Sequence, residues 1–297
     1  MEHLGVIAAL GSCMLWAWSA THFQPAVRRW GPFSCGLFKT FLATMLFGLT
    51  ALALSANQPM PWGTRDDGWA LALSGFLGMA LGDWALLAAI GHLGVRQAML
   101  IHGTSPVFLL LWSVLGPGDP LGIPDITGIV LVVGGVSMVT VAQGLEPTHT
   151  PKGRALGILF GFLAAVGQAA GILIAKDSFT GFHIISASGI RLAGALTGLL
   201  VIQLLRGRLR LSVSLMMRRE MWSVLLRPAF VGTYLGVLLM MTAINNTPAA
   251  VAGALLSTTP LFVIPFAFSI LGERTRWPVL LGTAVAVAGV ATISALS

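Results

Sequence analysis

PVFLLLWSVLGPGDPLGIPDITGIVLVVGGVSMV, residues 106–139, lies without a gap on PLFVIPFAFSILGERTRWPVLLGTAVAVAGVATI, residues 260–293. The landmarks coincide at a shift of 154 positions (260 minus 106): Pro106 meets Pro260, Phe108 meets Phe262, Gly118 meets Gly272 and Asp119 meets Glu273. Pro124, Gly128 and Gly135 meet Pro278, Gly282 and Gly289. Upstream, Gly78 and Gly82 meet Gly232 and Gly236 at the same shift, and Lys39 meets Arg191 at 152 (191 minus 39). Each half holds five hydrophobic spans. Five is odd, so the second copy enters a bilayer upside down relative to the first. Such an inverted pair suits alternating access, because two equivalent open forms can exchange about one central site.

Composition agrees. The 297 residues are 56% hydrophobic and 9% charged, against about a quarter charged in a soluble protein. The apolar residues form blocks of about 20, enough to cross a hydrocarbon core at about 1.5 Å per residue. The expected spans are 4–23, 33–54, 69–91, 96–116, 125–142, 153–175, 184–205, 224–244, 248–271 and 277–296. The expected architecture is therefore all-α and membrane-embedded: ten transmembrane helices in two inverted five-helix repeats, 1–143 and 153–297, joined by a linker at 144–152. Breakers mark the joins, as in Gly31-Pro32, Asn57-Gln58-Pro59 and Pro117-Gly118-Asp119-Pro120. The first span lacks a basic leader and reads as retained rather than cleaved.

The net charge of +7 is distributed as a topology signal. Thirteen of the 17 basic residues fall in the loops joining spans 1–2, 3–4, 5–6, 7–8 and 9–10, including six arginines from Arg206 to Arg227. This excludes a nucleic-acid footprint and, by the positive-inside rule, puts both termini on the non-cytoplasmic side of a bacterial inner membrane. The loop RGRLRLSVSLMMRREMW, 206–222, reads either as a plain basic anchor or as an amphipathic segment with Leu215, Met216 and Met217 dipping into the inner leaflet. Cys13 and Cys35 read as small packing residues, with no spacing for a metal.

Prolines in mid-span point to the centre. Pro106 and Pro260 fall at matching places in spans 4 and 9 and predict helix kinks freeing the carbonyls of His102 and Leu256. Thr104-Ser105 and Thr258-Thr259 stand ready to satisfy nearby backbone groups. The glycine pairs Gly78/Gly82, Gly157/Gly161 and Gly232/Gly236 permit close helix approach, which serves static packing and sliding alike.

Ionisable residues inside spans are expensive. Lys39, Asp83 and His102 each lie roughly 10 Å from the cytoplasmic end of their spans, by about 1.5 Å per residue. A base, an acid and an imidazole thus share one level. They read as a substrate or proton site, or as a structural ion pair locking spans 2, 3 and 4. The second half keeps only the cation, as Arg191: Val237 answers Asp83 and Leu256 answers His102. Trp16, Gln168 and Tyr234 are further substrate-binding candidates, with Gln24 beside them, because an aromatic wall with an amide suits an organic solute. Trp62, Trp69, Trp222 and Trp277 read as interfacial anchors.

The chain resembles the drug/metabolite transporter superfamily and its EamA-type branch. The resemblance is carried by Thr258-Thr259-Pro260-Leu261-Phe262, Leu271-Gly272-Glu273-Arg274, Gly282 and Gly289, and in the first half by Thr104-Ser105-Pro106 and Gly128. Gly118-Asp119-Pro120 departs from the family's Gly-Glu-Arg turn. The resemblance implies export or uptake of a small organic metabolite or drug, without ATP, and basic residues at the positions of Lys39 and Arg191. The expectation is a transporter working by rocking of its two halves, with no catalytic role, cofactor or metal. Its partners would be a small organic solute and membrane lipid, and the sequence does not decide between monomer and homodimer. A lipid flippase of the same fold is the alternative. An intramembrane enzyme and a receptor subunit are rival classes, but no HExxH, P-loop or nucleophile elbow is present.

Overall fold

The computed structural model of the chain describes residues 2–55, 64–115, 122–143, 151–178, 181–259, 261–263, 265–266 and 277–296. Its elements are α1 (Glu2–Trp30), α2 (Pro32–Ser55), α3 (Arg65–Gly75), α4 (Asp83–Leu93), α5 (Val95–His102), α6 (Ser105–Leu115), α7 (Ile123–Gln143), α8 (Pro151–Asp177) and α9 (Ile184–Leu205). They continue as α10 (Leu209–Met216), α11 (Arg219–Pro228), α12 (Gly236–Asn246), α13 (Ala249–Leu256) and α14 (Trp277–Leu296). No strand forms among the described residues. Among the described residues, six helices are long and apolar enough to cross a membrane: His3–Trp30, Pro32–Ser55, Arg65–Leu93, Gly153–Asp177, Ile184–Leu205 and Arg219–Asn246. Shorter apolar helices among the described residues join them at Ile123–Gly135, Ala249–Leu256 and Leu280–Gly289.

Two of the long helices are interrupted by π-helical turns, Phe76–Gly82 between α3 and α4 and Ala229–Leu235 between α11 and α12. In each, the residue that restarts the α-helix donates its N–H five residues back, Asp83 to Gly78 and Gly236 to Val231. The extra residue per turn widens the helix locally, and π turns concentrate at functional sites.

Glycines set the helix crossings. A methyl on Gly75 would run into the backbone carbonyl of Arg191, and one on Gly194 into the backbone of Ala72. One on Gly167 would lie 3.0 Å from the Cα of Gly82, and one on Gly171 2.9 Å from that of Gly78. Here α3, its π turn, α8 and α9 touch backbone to backbone. The matching crossing meets side chains instead: Gly232 faces Ser19, and a methyl on Gly236 would lie 2.7 Å from the Trp16 indole nitrogen. Helices α7 and α14 pack chiefly on each other, through Gly135 against Ala286 and Gly289 against Gly128 and Val132.

The kink expected at Pro106 is a stop and a restart. Helix α5 ends at His102, the chain turns at Gly103-Thr104, and α6 begins at Ser105. Pro106 then sits in a first turn, where its missing N–H costs nothing. Helix α13 likewise ends at Leu256 before a turn at Ser257-Thr258, while Pro260 lies outside the described residues. Hydroxyls satisfy these ends. Thr104 donates to the Ile101 carbonyl at 2.7 Å, Thr258 to Leu255 at 2.7 Å, and Thr259 to Leu256 at 2.7 Å. The fully buried Cys13 thiol donates to Leu255 and Leu256, at 3.3 Å each.

The basic loop carries the short helix α10. It is pinned by a Gln203–Ser212 hydrogen bond, by the Trp222 indole donating to Met216 at 2.7 Å and by Arg206 over the Phe33 ring. Leu215 and Met216 pack against the bundle rather than dipping away from it, while Met217 is exposed. The reason is helical phase: Ser212, Leu215 and Met216 share the face that these bonds hold inward. Trp69 and Trp277 are exposed, as anchors require, and Trp62 lies outside the described residues.

Candidate functional site

Where α1, α2, α4, α5 and α8 converge on the two π turns, they leave a cleft of about 740 Å³. Its floor is polar. Lys39 from α2 reaches Asp83, the first residue after the Phe76–Gly82 turn, and its Nζ donates to Oδ2 at 2.5 Å. Both side chains keep a little exposure, 13% and 22%, because they face the cleft rather than solid packing. The pair cancels its own charge. His102, at the end of α5, lines the same cleft, and its Nδ1 is buried without a partner. Gln168 and Thr233 add an amide and a hydroxyl.

The walls are soft and apolar. Trp16, Phe23, Leu86, Leu87, Ile90 and Val237 contribute, with Met79, Met99 and Met240 among them. Three unbranched thioethers can repack around ligands of different outline. A smaller hollow of about 250 Å³ adjoins. It shares Trp16, Met99, His102, Gln168 and Thr259 and extends to Gly103, Ser105, Leu256 and Ser257. The two helix breaks therefore open onto the site.

Of the residues expected from sequence, Trp16, Lys39, Asp83, His102 and Gln168 come together in the cleft. Arg191 and Tyr234 stand outside its lining. Arg191 is fully buried beneath the glycine crossing, with Nη1 donating to the Met241 sulfur at 3.0 Å. The Tyr234 hydroxyl hydrogen-bonds Thr50 at 2.7 Å, and its ring packs on Phe47 and Phe230. Depth along a helix axis does not set the face a residue presents: Arg191, about 10 Å from the Ile184 end of α9 at about 1.5 Å per residue, and Tyr234 both turn away from the cleft. Gln24 is half-buried outside the lining.

Sequence reasoning passed over Ser19, Phe23, Met79, Met99, Thr233 and Met240, all in the lining, and gave Thr259, also there, no part in the site. A signal existed. Ser19 and Phe23 lie three and seven residues after Trp16, Met79 four before Asp83, and Met99 three before His102. These are same-face spacings on a helix.

Comparison with known proteins agrees with this arrangement. A model of the EamA-like transporter family matches residues 3–141 and again 155–295. A relative from Archaeoglobus fulgidus, described as an uncharacterized transporter, is 25% identical over 281 residues, covering 94% of each chain. A solved crystal structure of a protein 15% identical superimposes with a TM-score of 0.73, over 98% of this chain and 96% of that one, and so shares the fold. The chain belongs to the EamA-like transporter family, and with its long apolar helices it is a multi-pass membrane protein.

Proposed function

We propose that this EamA-like membrane transporter is a secondary exporter that moves a small organic solute across the bacterial inner membrane by alternating access, using ten spans arranged as two inverted five-helix repeats. The observation that carries the reading is the methionine-rich cleft floored by the Lys39–Asp83 pair. Because that pair is already neutral, a solute with net charge would leave an uncompensated charge in a poorly solvated site, which is costly. The cleft therefore suits a neutral or zwitterionic solute, with Lys39 and Asp83 as its polar contacts and Trp16 and the methionines around its apolar body. His102, partnerless at Nδ1, and Asp83 are placed to exchange a proton if transport is coupled to one.

On this reading the cleft opens toward the basic loops. The cleft runs from the level of Gln168 and Thr259 to Phe23 and Ile90, within about two turns of the ends of α1 and α4. Those ends adjoin Arg28, Arg29 and Arg96. With the basic loops cytoplasmic and both termini outside, this is an inward-facing form that receives solute from the cytoplasm.

Untargeted comparison of metabolites inside and outside cells, with and without overproduction, tests the reading. At least one neutral or zwitterionic solute should be depleted inside and enriched outside, and Asp83→Asn should abolish the difference. In liposomes, Asp83→Asn and His102→Ala should each flatten the dependence of that flux on pH between mildly acidic and mildly alkaline buffer. An unchanged pH profile in both removes the proton role.

A further inference from the structure

Lys39 and Arg191 occupy equivalent places in the two halves, yet only one of them has a carboxylate. Lys39 holds Asp83. Among the described residues no carboxylate lies within ion-pair distance of Arg191. Its Nε is buried without a partner, and its Nη1 donates to a weak acceptor, the Met241 sulfur. A fully buried guanidinium left in this way is strongly unfavourable. Its position is not accidental. Nη2 would lie 3.3 Å from a methyl on Gly78 and 3.2 Å from one on Gly171, so two absent side chains make the slot that holds it. Gly78 is the residue whose carbonyl receives the Asp83 N–H across the π turn. One helical circuit therefore separates the guanidinium from the carboxylate that Lys39 now holds.

We infer that Arg191 is the second partner of Asp83: the carboxylate pairs with Lys39 when the cleft opens toward the basic loops and passes to Arg191 when the opposite side opens. The inference rests on the alternating-access reading. It makes Arg191 a positioning residue that stabilises one of two states and need not touch solute. The π turn beneath Asp83 supplies the freedom. Shifting its extra residue along the helix turns Asp83 relative to Gly75 without separating α3 from α9, whose backbones are in contact at Gly75 and Gly194. The inverted repeat supplies the logic, since two equivalent cations at opposite depths share one acid, and Val237 leaves no second acid to compete.

Single-cysteine labelling tests this without a known substrate. The native Cys13 and Cys35 are fully buried and serve as a silent background. Ala20→Cys reports the cleft, and Ser188→Cys, one turn before Arg191 and fully buried here, reports the opposite side. Both are treated with maleimide in membranes. Arg191→Gln should leave Asp83 on Lys39, raising labelling at position 20 and lowering it at 188, each at least threefold. Lys39→Gln should do the reverse. Asp83→Asn should erase the difference between the two variants. If Arg191→Gln is not recovered folded, Arg191→Lys replaces it, and a smaller shift in the same direction supports the exchange. Shifts of the same sign from the Lys39 and Arg191 variants, or none from the latter, overturn it. A position 188 that stays unreactive in every variant while the parent still transports solute removes alternating access itself, and the exchange with it.

Discussion

The two π-containing helices cross their neighbours in the same way and with opposite results. Around Phe76–Gly82, glycine meets glycine: Gly78 touches Gly171 and Gly82 touches Gly167, while the Arg191 guanidinium fills the slot beside them. Around Ala229–Leu235, Gly232 meets Ser19 and Gly236 meets Trp16, so the partner helix brings side chains to the same place. In the first half the cation has its acid. In the second half the corresponding position is Val237, buried in the core. One backbone frame therefore carries a crossing whose cation has its acid and a crossing with no acid, although both π turns border the cleft. A duplicated fold repeats its close packing because helix approach demands it, and it can differ wherever a side chain faces the cleft.

Making the first half resemble the second should produce the largest effect. Asp83→Val strands the Lys39 ammonium, which costs about 3 kcal/mol for a pair of this burial, and should lower solute flux in liposomes at least tenfold. Adding Lys39→Met should restore most of the thermal stability in detergent but none of the flux, separating fold from function. Next in size is the backbone contact. Gly75→Ala forces α3 from α9 and should cost about 1–3 kcal/mol. Gly48→Ala, facing open space, should stay within about 0.5 kcal/mol of the parent. A third variant tests the difference between crossings. Gly232→Ala presses on the Ser19 side chain and should cost about 1 kcal/mol, relieved by Ser19→Gly. Truncating a side chain should relieve Gly78→Ala only in part, because the added methyl meets the Gly171 backbone as well as the Arg191 guanidinium, each at 3.3 Å. The smallest effect on transport belongs to Tyr234→Phe. Losing the bond to Thr50 should cost about 1 kcal/mol and leave flux unchanged, as befits a residue outside the cleft.

Much of this was legible from residue types alone. Insertion depth follows from the length of apolar runs, so Lys39, Asp83 and His102 could be placed at one level before any coordinates. Rotation about each helix could not, which is why Arg191 and Tyr234 were read into the cleft. The π turns were invisible for a related reason: Gly78 and Gly82 support close approach whether the helix has three or four residues and a fraction per circuit. At Pro106 the proline announced a disturbance, but only the hydroxyl of Thr104, bonding back to Ile101, lets the chain stop cleanly and begin again. The asymmetry between the halves, Asp83 against Val237, was the most dependable sequence signal, because a buried acid is never neutral packing material.

The two π turns also bear on length. Each carries one residue beyond what an uninterrupted α-helix would hold between the same neighbours, so removing any one residue from Phe76–Gly82 would yield a perfectly regular rod. That rod would keep its span, its apolar character and the placing of Asp83 beside Lys39, since the residues flanking the turn hold their places, but it would lose the loose circuit through which Asp83 can turn. In this protein, regularity is the defect: a shorter, tidier helix would still insert in the membrane and would hold its acid fast.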